Sequence, residues 1–339
     1  MAWNPEEWNV KEVCNPAVEI MVNKHNVNML VVKKVMRNHN PSSGDARPLE
    51  IKFLALLPDS NRVIKPIFVA PSQPSPQFST AIFRHYPLGD IHVWRQQNIP
   101  VPEPHIWRMF LQMAQAVAFI QKETSPSLTQ VQRPVIVHRD IKPSNILVVD
   151  NGTTHPSFRL IDFGCACIET QHKLPARVGT YEWQPPENPY INTKAADIWS
   201  LGAVVYYMAT GIAPIRNPRD YANDRFKELG SHPESASRYP SPDRYYAAKT
   251  PRHAFPINLS ALQQLLQGVP LIRIDGIPRR IHQYSDILNR WMQACLQKSP
   301  TDRTTSRQLV TDMQVEAKEV LTQTGDPAAL TDIDLGSGN

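Results

Sequence analysis

The residues most suggestive of chemistry lie in VIVHRDIKPSNILVVD, residues 135–150, and in LIDFG, residues 160–164. Two apolar, strand-like pieces flank a polar loop that holds Asp140, Lys142 and Asn145. A second polar turn follows with Asp162, Phe163 and Gly164. Buried strands that present two acids, an amide and a lysine at one edge need a chemical reason. Phosphoryl transfer supplies one: a base orients a hydroxyl, hard oxygen ligands hold Mg²⁺, and a cation sits beside the moving group.

The pattern H-R-D-x-K-x-x-N followed by D-F-G is here His138, Arg139, Asp140, Lys142 and Asn145, then Asp162, Phe163 and Gly164. It resembles the eukaryotic protein kinase superfamily, serine/threonine type. The resemblance implies that Asp140 accepts or orients the proton of a substrate hydroxyl and that Lys142 neutralises developing charge. Asp162 and Asn145 would hold Mg²⁺, and Phe163 and His138 would pack beneath the site. VVKKV, residues 31–35, resembles the family's V-A-I-K strand. Strand alternation puts Val31, Lys33 and Val35 on one face, so Lys33 is the candidate for the lysine that meets the ATP phosphates, and Lys34 points the other way. Glu50, on a helix 17 residues later, looks like the partner of that lysine, with Leu54 facing the core one turn on. IFRHYPLGD, residues 82–90, resembles the linker between lobes. Arg84 and Tyr86 would offer backbone groups to adenine, Phe83 would gate the pocket behind, and Asp90 would bond the ribose. The bland alternative is a plain strand-to-helix loop.

GTYEWQPPE, residues 179–187, resembles the family's G-T-x-x-Y-x-A-P-E segment, with Trp183 in place of Tyr and Pro185 in place of Ala. The resemblance implies that Glu187 pairs with a buried arginine, for which Arg303 in KSPTDRTTS has the right context. Asp197 in ADIWSLG resembles the acid that braces the catalytic loop, and a helix N-terminus favours an acid in any case. Lys142 together with Thr180 goes with the serine/threonine branch, so the implied partner is a protein substrate bearing Ser or Thr. Arg139 implies a basic pocket, and Thr170, the hydroxyl between residues 165 and 178, is the candidate for an upstream kinase, with an unmodified exposed threonine as the alternative.

One departure stands out. The phosphate-covering loop G-x-G-x-x-G-x-V has no counterpart, and no glycine precedes Gly44. The equivalent stretch is EVCNPAVEIMV, residues 12–22. Glycines let backbone N–H groups approach phosphates closely, whereas side chains and Pro16 hold the chain off or fix its shape. Weak ATP affinity or a slow rate is expected. The competing reading is an inactive pseudokinase that serves as a scaffold or allosteric module; a small-molecule kinase is a third, opposed by the GTYEWQPPE segment. Cys165 is read as a buried structural thiol ahead of a reactive one. Residues 123–134 and 150–157 read as polar, exposed insertions.

These residues need elements to hold them. The expected fold class is α+β: a bilobal protein kinase fold over about residues 8–318, with a small β-rich N-lobe and a larger α-helical C-lobe. The N-lobe and hinge are assigned to 1–87, the C-lobe to 88–320 with an activation segment at 162–187, and a disordered tail to 321–339. Strand-like runs fall at 27–36, 63–70 and 79–86, and an exposed loop at 71–77. A helix carries Leu49, Phe53, Leu54 and Leu57 and stops at Pro58. Strong helical patterns follow in HIWRMFLQMAQAVAFIQ, from Ala195 onward, in SDILNRWMQACLQ and in SRQLVTDMQVEAKEVL. Residues 214–283 read as irregular surface with one amphipathic piece, LSALQQLLQ.

Composition bounds the rest. With 41% hydrophobic residues, the 339-residue chain can bury a core, which excludes wholesale disorder. Its 36 Lys+Arg against 31 Asp+Glu suit a phosphate-bearing ligand, and no basic run is dense enough for nucleic acid. Cys14, Cys165, Cys167 and Cys295 form neither a zinc pattern nor a disulfide framework, so a reduced, intracellular, cytoplasmic or nuclear protein is expected. The N-terminus lacks a secretory pattern, and no apolar run is long enough to span a membrane.

Overall fold

The computed structural model describes residues 3–39, 45–124, 132–169, 178–187, 193–274, 276–324 and 326–337. Its N-terminal part is a five-stranded sheet in the order β1-β2-β3-β5-β4, antiparallel throughout. The strands are β1 (Trp8–Asn15), β2 (Val18–Asn23), β3 (Leu30–Arg37), β4 (Phe68–Ala70) and β5 (Phe78–Arg84). Helix α1 (Leu49–Leu56) follows Pro48 and runs out before Pro58, which cannot continue a helix. Met36 and Ala81 pack with Ile51 of α1 on one face of the sheet, and Val69 and Phe83 close over them.

The other face of the sheet is also covered. Trp3 and Trp8 stack at 4.8 Å and pack with Met21, Val31, Ile82 and Phe68. An apolar residue at Val31 therefore does not mark the cleft side of β3, because both faces of that strand bury apolar surface.

From α2 (Ile91–Gln96) onward the chain is mainly helical. Helix α3 (Glu103–Ile120) is buried from Ile106 to Ile120, as befits a helix apolar nearly all round. It packs on α4 (Lys194–Thr210), which in turn packs on α8 (Asp286–Cys295). Gly202 of α4 lies where a Cβ would come within 2.6 Å of Cys295, so the two helices close on a glycine. Short strands pair at the lobe junction: β6 (Ile136–Val137) with β9 (Cys167–Ile168), and β7 (Ile146–Val149) with β8 (Ser157–Leu160). A β-sheet region followed by a helical region is the bilobal α+β kinase architecture. Among the described residues no helix is long and apolar enough to cross a membrane.

Three expectations need correction. Residues 214–283 are more regular than their scattered Pro, Arg and Tyr suggest. They form α5 (Pro218–Leu229), α6 (Pro242–Lys249), α7 (Ala261–Leu266) and a hairpin of β10 (Ile272–Ile274) and β11 (Ile277–Arg279). The Pro residues at the starts of α5 and α6 sit where a missing N–H costs nothing. In α7 the amphipathic reading is inverted: Leu262, Leu265 and Leu266 are exposed, and Gln264 is buried with its amide spent on the Leu259 and Ile281 carbonyls. The turn at 150–157 is not wholly exposed, because His155 is buried and bonds Asp326.

The third correction concerns the C-terminus. The segment assigned to a disordered tail is packed. Helix α9 (Ser306–Gln308) runs through a π-turn at Leu309–Met313 into α10 (Gln314–Gln323), and residues 326–337 then lie along α3 with Ala329 and Ile333 buried. The signal was in α3. Arg108, Gln112 and Gln115 sit inside an otherwise apolar helix, and buried polar groups require partners. The tail supplies them: Arg108 donates to the Ala329 carbonyl at 2.5 Å and to that of Thr331 at 2.9 Å, and Gln112 to that of Asp332 at 2.7 Å.

Candidate active site

The lysine that meets Glu50 is Lys34, one residue on from the expected Lys33. Lys34, not Lys33, faces α1. Its Nζ lies 2.6 Å from Glu50 Oε2 and 3.1 Å from Asp162 Oδ1. Lys34 pairs in the sheet with Ala81, on the α1 face, whereas Lys33 pairs with Ile82, on the face covered by the two tryptophans. Lys33 instead meets Glu19 at 3.0 Å, half-exposed on that outer side.

Glu50 is 5% exposed in the first turn of α1. Burial pushes its carboxyl above the ordinary value, against the pull of Lys34. Burial also acts to raise Asp162, but Lys34, His138 and the Gly164 N–H together hold it below the ordinary value. Burial would lower Lys34; the two carboxylates overcome it and raise the ammonium pKa. An open cavity of about 410 Å³ lies beside this triad, with Lys34, Met36, Glu50, Asp162 and Gly164 in its wall.

The loop between β6 and β7 is held from below. Asp197, fully buried near the start of α4, accepts the backbone N–H of His138 at 2.8 Å and of Arg139 at 2.9 Å. Burial pushes the Asp197 carboxyl up in spite of those bonds. Arg139 takes φ 68°, a costly conformation for a residue with a Cβ, and its guanidinium donates to the Cys165 and Ala166 carbonyls. The His138 ring bonds the Ile161 carbonyl at 3.0 Å and meets Phe163 edge-on at 4.8 Å, both buried beneath the loop as expected.

Asp140 is the centre of the polar cluster. Its Oδ2 accepts from Lys142 Nζ at 2.9 Å and from Asn145 Nδ2 at 3.1 Å, and its Oδ1 from the Thr180 N–H at 2.9 Å. Lys142 Nζ also reaches Thr180 Oγ1 at 2.8 Å, so loop and GTYEWQPPE segment are tied through one ammonium. Gly179 makes this approach possible. Its φ is +84°, and a Cβ there would lie 2.4 Å from the Arg139 carbonyl oxygen. Further along, Glu187 and Arg303 form the expected buried pair at 2.8 Å. Sequence reasoning missed Arg252, which lies in the 214–283 stretch. Its half-buried guanidinium holds the Tyr181 and Gln184 carbonyls at 2.6 and 2.9 Å, and desolvation pushes its pKa down to about 10.

The linker residues stand apart from this cluster. Arg84 and Tyr86 line a separate cavity of about 250 Å³ that includes Arg159 and neither Lys34 nor Asp162. The Tyr86 carbonyl accepts from the Gly89 N–H at 3.1 Å. Asp90 spends one carboxylate oxygen on capping α2, through the Val93 N–H at 2.9 Å. Thr170 lies outside the described residues. Cys165 is partly buried, and burial raises its thiol pKa, which opposes the reactive reading.

The glycine-free stretch is a tight hairpin. Asn15 and Val18 close β1 on β2 around Pro16 and Ala17. Pro16 has no N–H, and the Ala17 N–H is taken by Asn15 Oδ1 at 2.9 Å. The Ala17 carbonyl accepts from the Val35 N–H at 2.8 Å, which fastens the turn to β3 next to Lys34. Neither central residue of the turn has an N–H left for an anion.

The donor set suits Mg²⁺ bound with a nucleotide. Asp162 Oδ2 and Asn145 Oδ1 have no partner among the described residues, and both are hard oxygens. Mg²⁺ ordinarily takes one or two such protein ligands beside phosphate oxygens and water.

The family model for the protein kinase domain matches residues 16–314. This chain belongs to the protein kinase domain family. It is 29% identical over 204 residues to the serine/threonine-protein kinase STE20 of Eremothecium gossypii, covering 58% of this chain and 16% of that protein. It is 26% identical over 217 residues to the dual specificity mitogen-activated protein kinase kinase mek-2 of Caenorhabditis elegans, covering 63% of this chain and 50% of that protein. A third relative, serine/threonine-protein kinase tousled-like 1 of the same nematode, is 27% identical over 150 residues, 40% of this chain and 14% of its own length. The chain thus spans half or less of these relatives.

Proposed function

We propose that this chain is an ATP- and Mg²⁺-dependent serine/threonine protein kinase that transfers the γ-phosphoryl group to protein hydroxyls. The observation that carries the reading is the assembled triad, with Lys34 held between Glu50 at 2.6 Å and Asp162 at 3.1 Å. A half-buried ammonium fixed by two carboxylates is poised to meet phosphate oxygens. Asp162 and Asn145 would hold Mg²⁺, whose chemistry is to neutralise charge on those oxygens. Asp140 would orient the acceptor hydroxyl and take its proton at the carboxylate. Lys142, 2.9 Å from Asp140 and 2.8 Å from Thr180, would steady the charge that develops there. The Lys142–Thr180 link supports Ser/Thr as acceptor, as does the likeness to the serine/threonine-protein kinases STE20 and tousled-like 1. The carbonyl edges of Arg84 and Tyr86 would contact adenine and Asp90 the ribose, with Thr170 as the site for an upstream kinase in an intracellular setting.

The hairpin favours a second reading. With no N–H free at Pro16 or Ala17, the two central residues of the turn offer phosphate no donor, as suits a slow kinase or an inactive scaffold. Radiolabelled transfer from Mg·ATP to a generic basic protein, run beside Asp162→Asn, separates the two. Label on Ser/Thr with wild type and none with Asp162→Asn supports the kinase. No label with either protein across a wide ATP range puts the scaffold first.

A further inference from the structure

Both carboxylates that hold Lys34 depend on one short segment. Residues 57–64 continue from α1, which carries Glu50. The same residues pair with the end of β8, two residues before Asp162: the Leu160 N–H donates to the Arg62 carbonyl at 2.8 Å and the Ile64 N–H to the Leu160 carbonyl at 3.1 Å. The spacing of Glu50 and Asp162 is therefore set where this segment is anchored.

The anchor is the C-terminal segment. Arg62 is wholly buried, an expensive place for a guanidinium, and burial lowers its pKa against the pull of Asp332. Its Nη1 lies 3.2 Å from Asp332 Oδ1, and its Nη2 donates to the carbonyls of Asp332 at 2.6 Å and Asp334 at 2.8 Å. Asn61 bonds Asp332 Oδ1 at 2.7 Å and exchanges two further bonds with Gly336. On the opposite side Gln115 of α3 takes Arg62 Nε at 2.8 Å and donates to the Ile333 carbonyl at 2.9 Å. Without residues 332–336, the Arg62 guanidinium keeps, among the described residues, only Gln115 and the Asn61 carbonyl.

We propose that residues 326–337 act as a positioning strap for the Lys34 site, with Asp332 and Arg62 as its clasp, fixing the distance between Glu50 and Asp162 through segment 57–64. The proposal rests, for its link to nucleotide, on reading Lys34 as the phosphate lysine. Loosening the clasp lets α1 swing, and Glu50 leaves Lys34 for part of the time. The competent population falls, and apparent nucleotide affinity falls with it.

The test uses the full chain with single substitutions. In Asp332→Ala, hydrogen exchange of the α1 amides from Ile51 to Leu57 should quicken at least about tenfold, because local opening becomes easier. Affinity for Mg·ATP should weaken about fivefold, the change expected if the competent state drops to about a fifth. In a Glu50→Gln background the same substitution should cost no further affinity, since the strap acts through Glu50; a merely structural role would add its effect in both backgrounds. Asp332→Asn, which keeps the shape and removes the charge, serves if the alanine variant fails to fold. Unchanged α1 exchange in a folded variant overturns the proposal, as does additivity with Glu50→Gln. If wild type binds no Mg·ATP, the nucleotide reading fails and the exchange arm alone decides whether the strap holds α1.

Discussion

Lys33 and Lys34 are neighbours with opposite surroundings, and the difference is measurable. Lys34→Ala removes the ammonium from between Glu50 and Asp162 and leaves two facing carboxylates close to one another. Nucleotide affinity or phosphate transfer should fall by about a hundredfold, the scale of a lost buried charge partner of about 3 kcal/mol. Lys33→Ala removes a half-exposed contact with Glu19, for which surface pairs suggest an effect within about 1 kcal/mol. Equal losses in the two variants would refute the assignment. The pKa directions give a second test. Glu50 is raised by burial and Asp162 is lowered from an ordinary 3.8. As pH falls, Glu50 therefore takes its proton first. The Lys34–Glu50 pair is intact above the folded Glu50 pKa and is lost as pH drops through it. Nucleotide affinity measured against pH should show an acid limb that Glu50→Gln lacks. The sequence made Asp140, Asn145, Asp162 and Glu50 legible because fixed spacings carry them. It misplaced the lysine because alternation assumes one buried face, and Trp3 and Trp8 bury the second.

The hairpin of β1 and β2 carries the chain's plainest departure from an anion-binding turn. Pro16→Gly restores an N–H and relaxes the backbone. One new hydrogen bond to a charged phosphate, less the added ordering cost, is worth about 1 kcal/mol, so Mg·ATP should bind about fivefold more tightly. Unaltered affinity would show that the tip does not face the phosphates. In the GTYEWQPPE segment, Gly179→Ala meets both a positive φ and the Arg139 carbonyl at 2.4 Å. It should lower the melting temperature by several degrees, at roughly 2 kcal/mol for a strained residue in a domain of this size, and loosen the Lys142–Thr180 link. The absence of glycine before Gly44 was visible in the sequence. The way Asn15 and Val35 consume the turn's polar groups was not, because those bonds depend on register.

At the scale of the molecule, distant stretches are joined by buried charge. Arg303 closes on Glu187 and also holds the Ala195 and Gln297 carbonyls. Arg303→Ala strands a carboxylate that is only 13% exposed and should cost about 3–5 kcal/mol in denaturant unfolding, with Arg303→Lys recovering only part. The two-part architecture was legible from composition and period alone. The packed C-terminus was not, because residues 326–337 show no regular apolar period, although Ala329 and Ile333 enter the core, and their polar contacts run largely through backbone carbonyls, which every sequence possesses. What betrays them is Arg62 and the polar residues of α3, far away in the chain. That separation has a consequence for how the protein is made. A ribosome delivers Arg62 and, on α3, Arg108 and Gln112 long before Asp332, so their partners in residues 329–334 are missing until that segment emerges. On the strap proposal, emergence of residues 326–337, rather than completion of the sheet, is the moment at which the Lys34 site locks. Stalled chains cut off before residue 326 should show a melted α1 in protease footprints, and a protected α1 in such chains would count against this order of events.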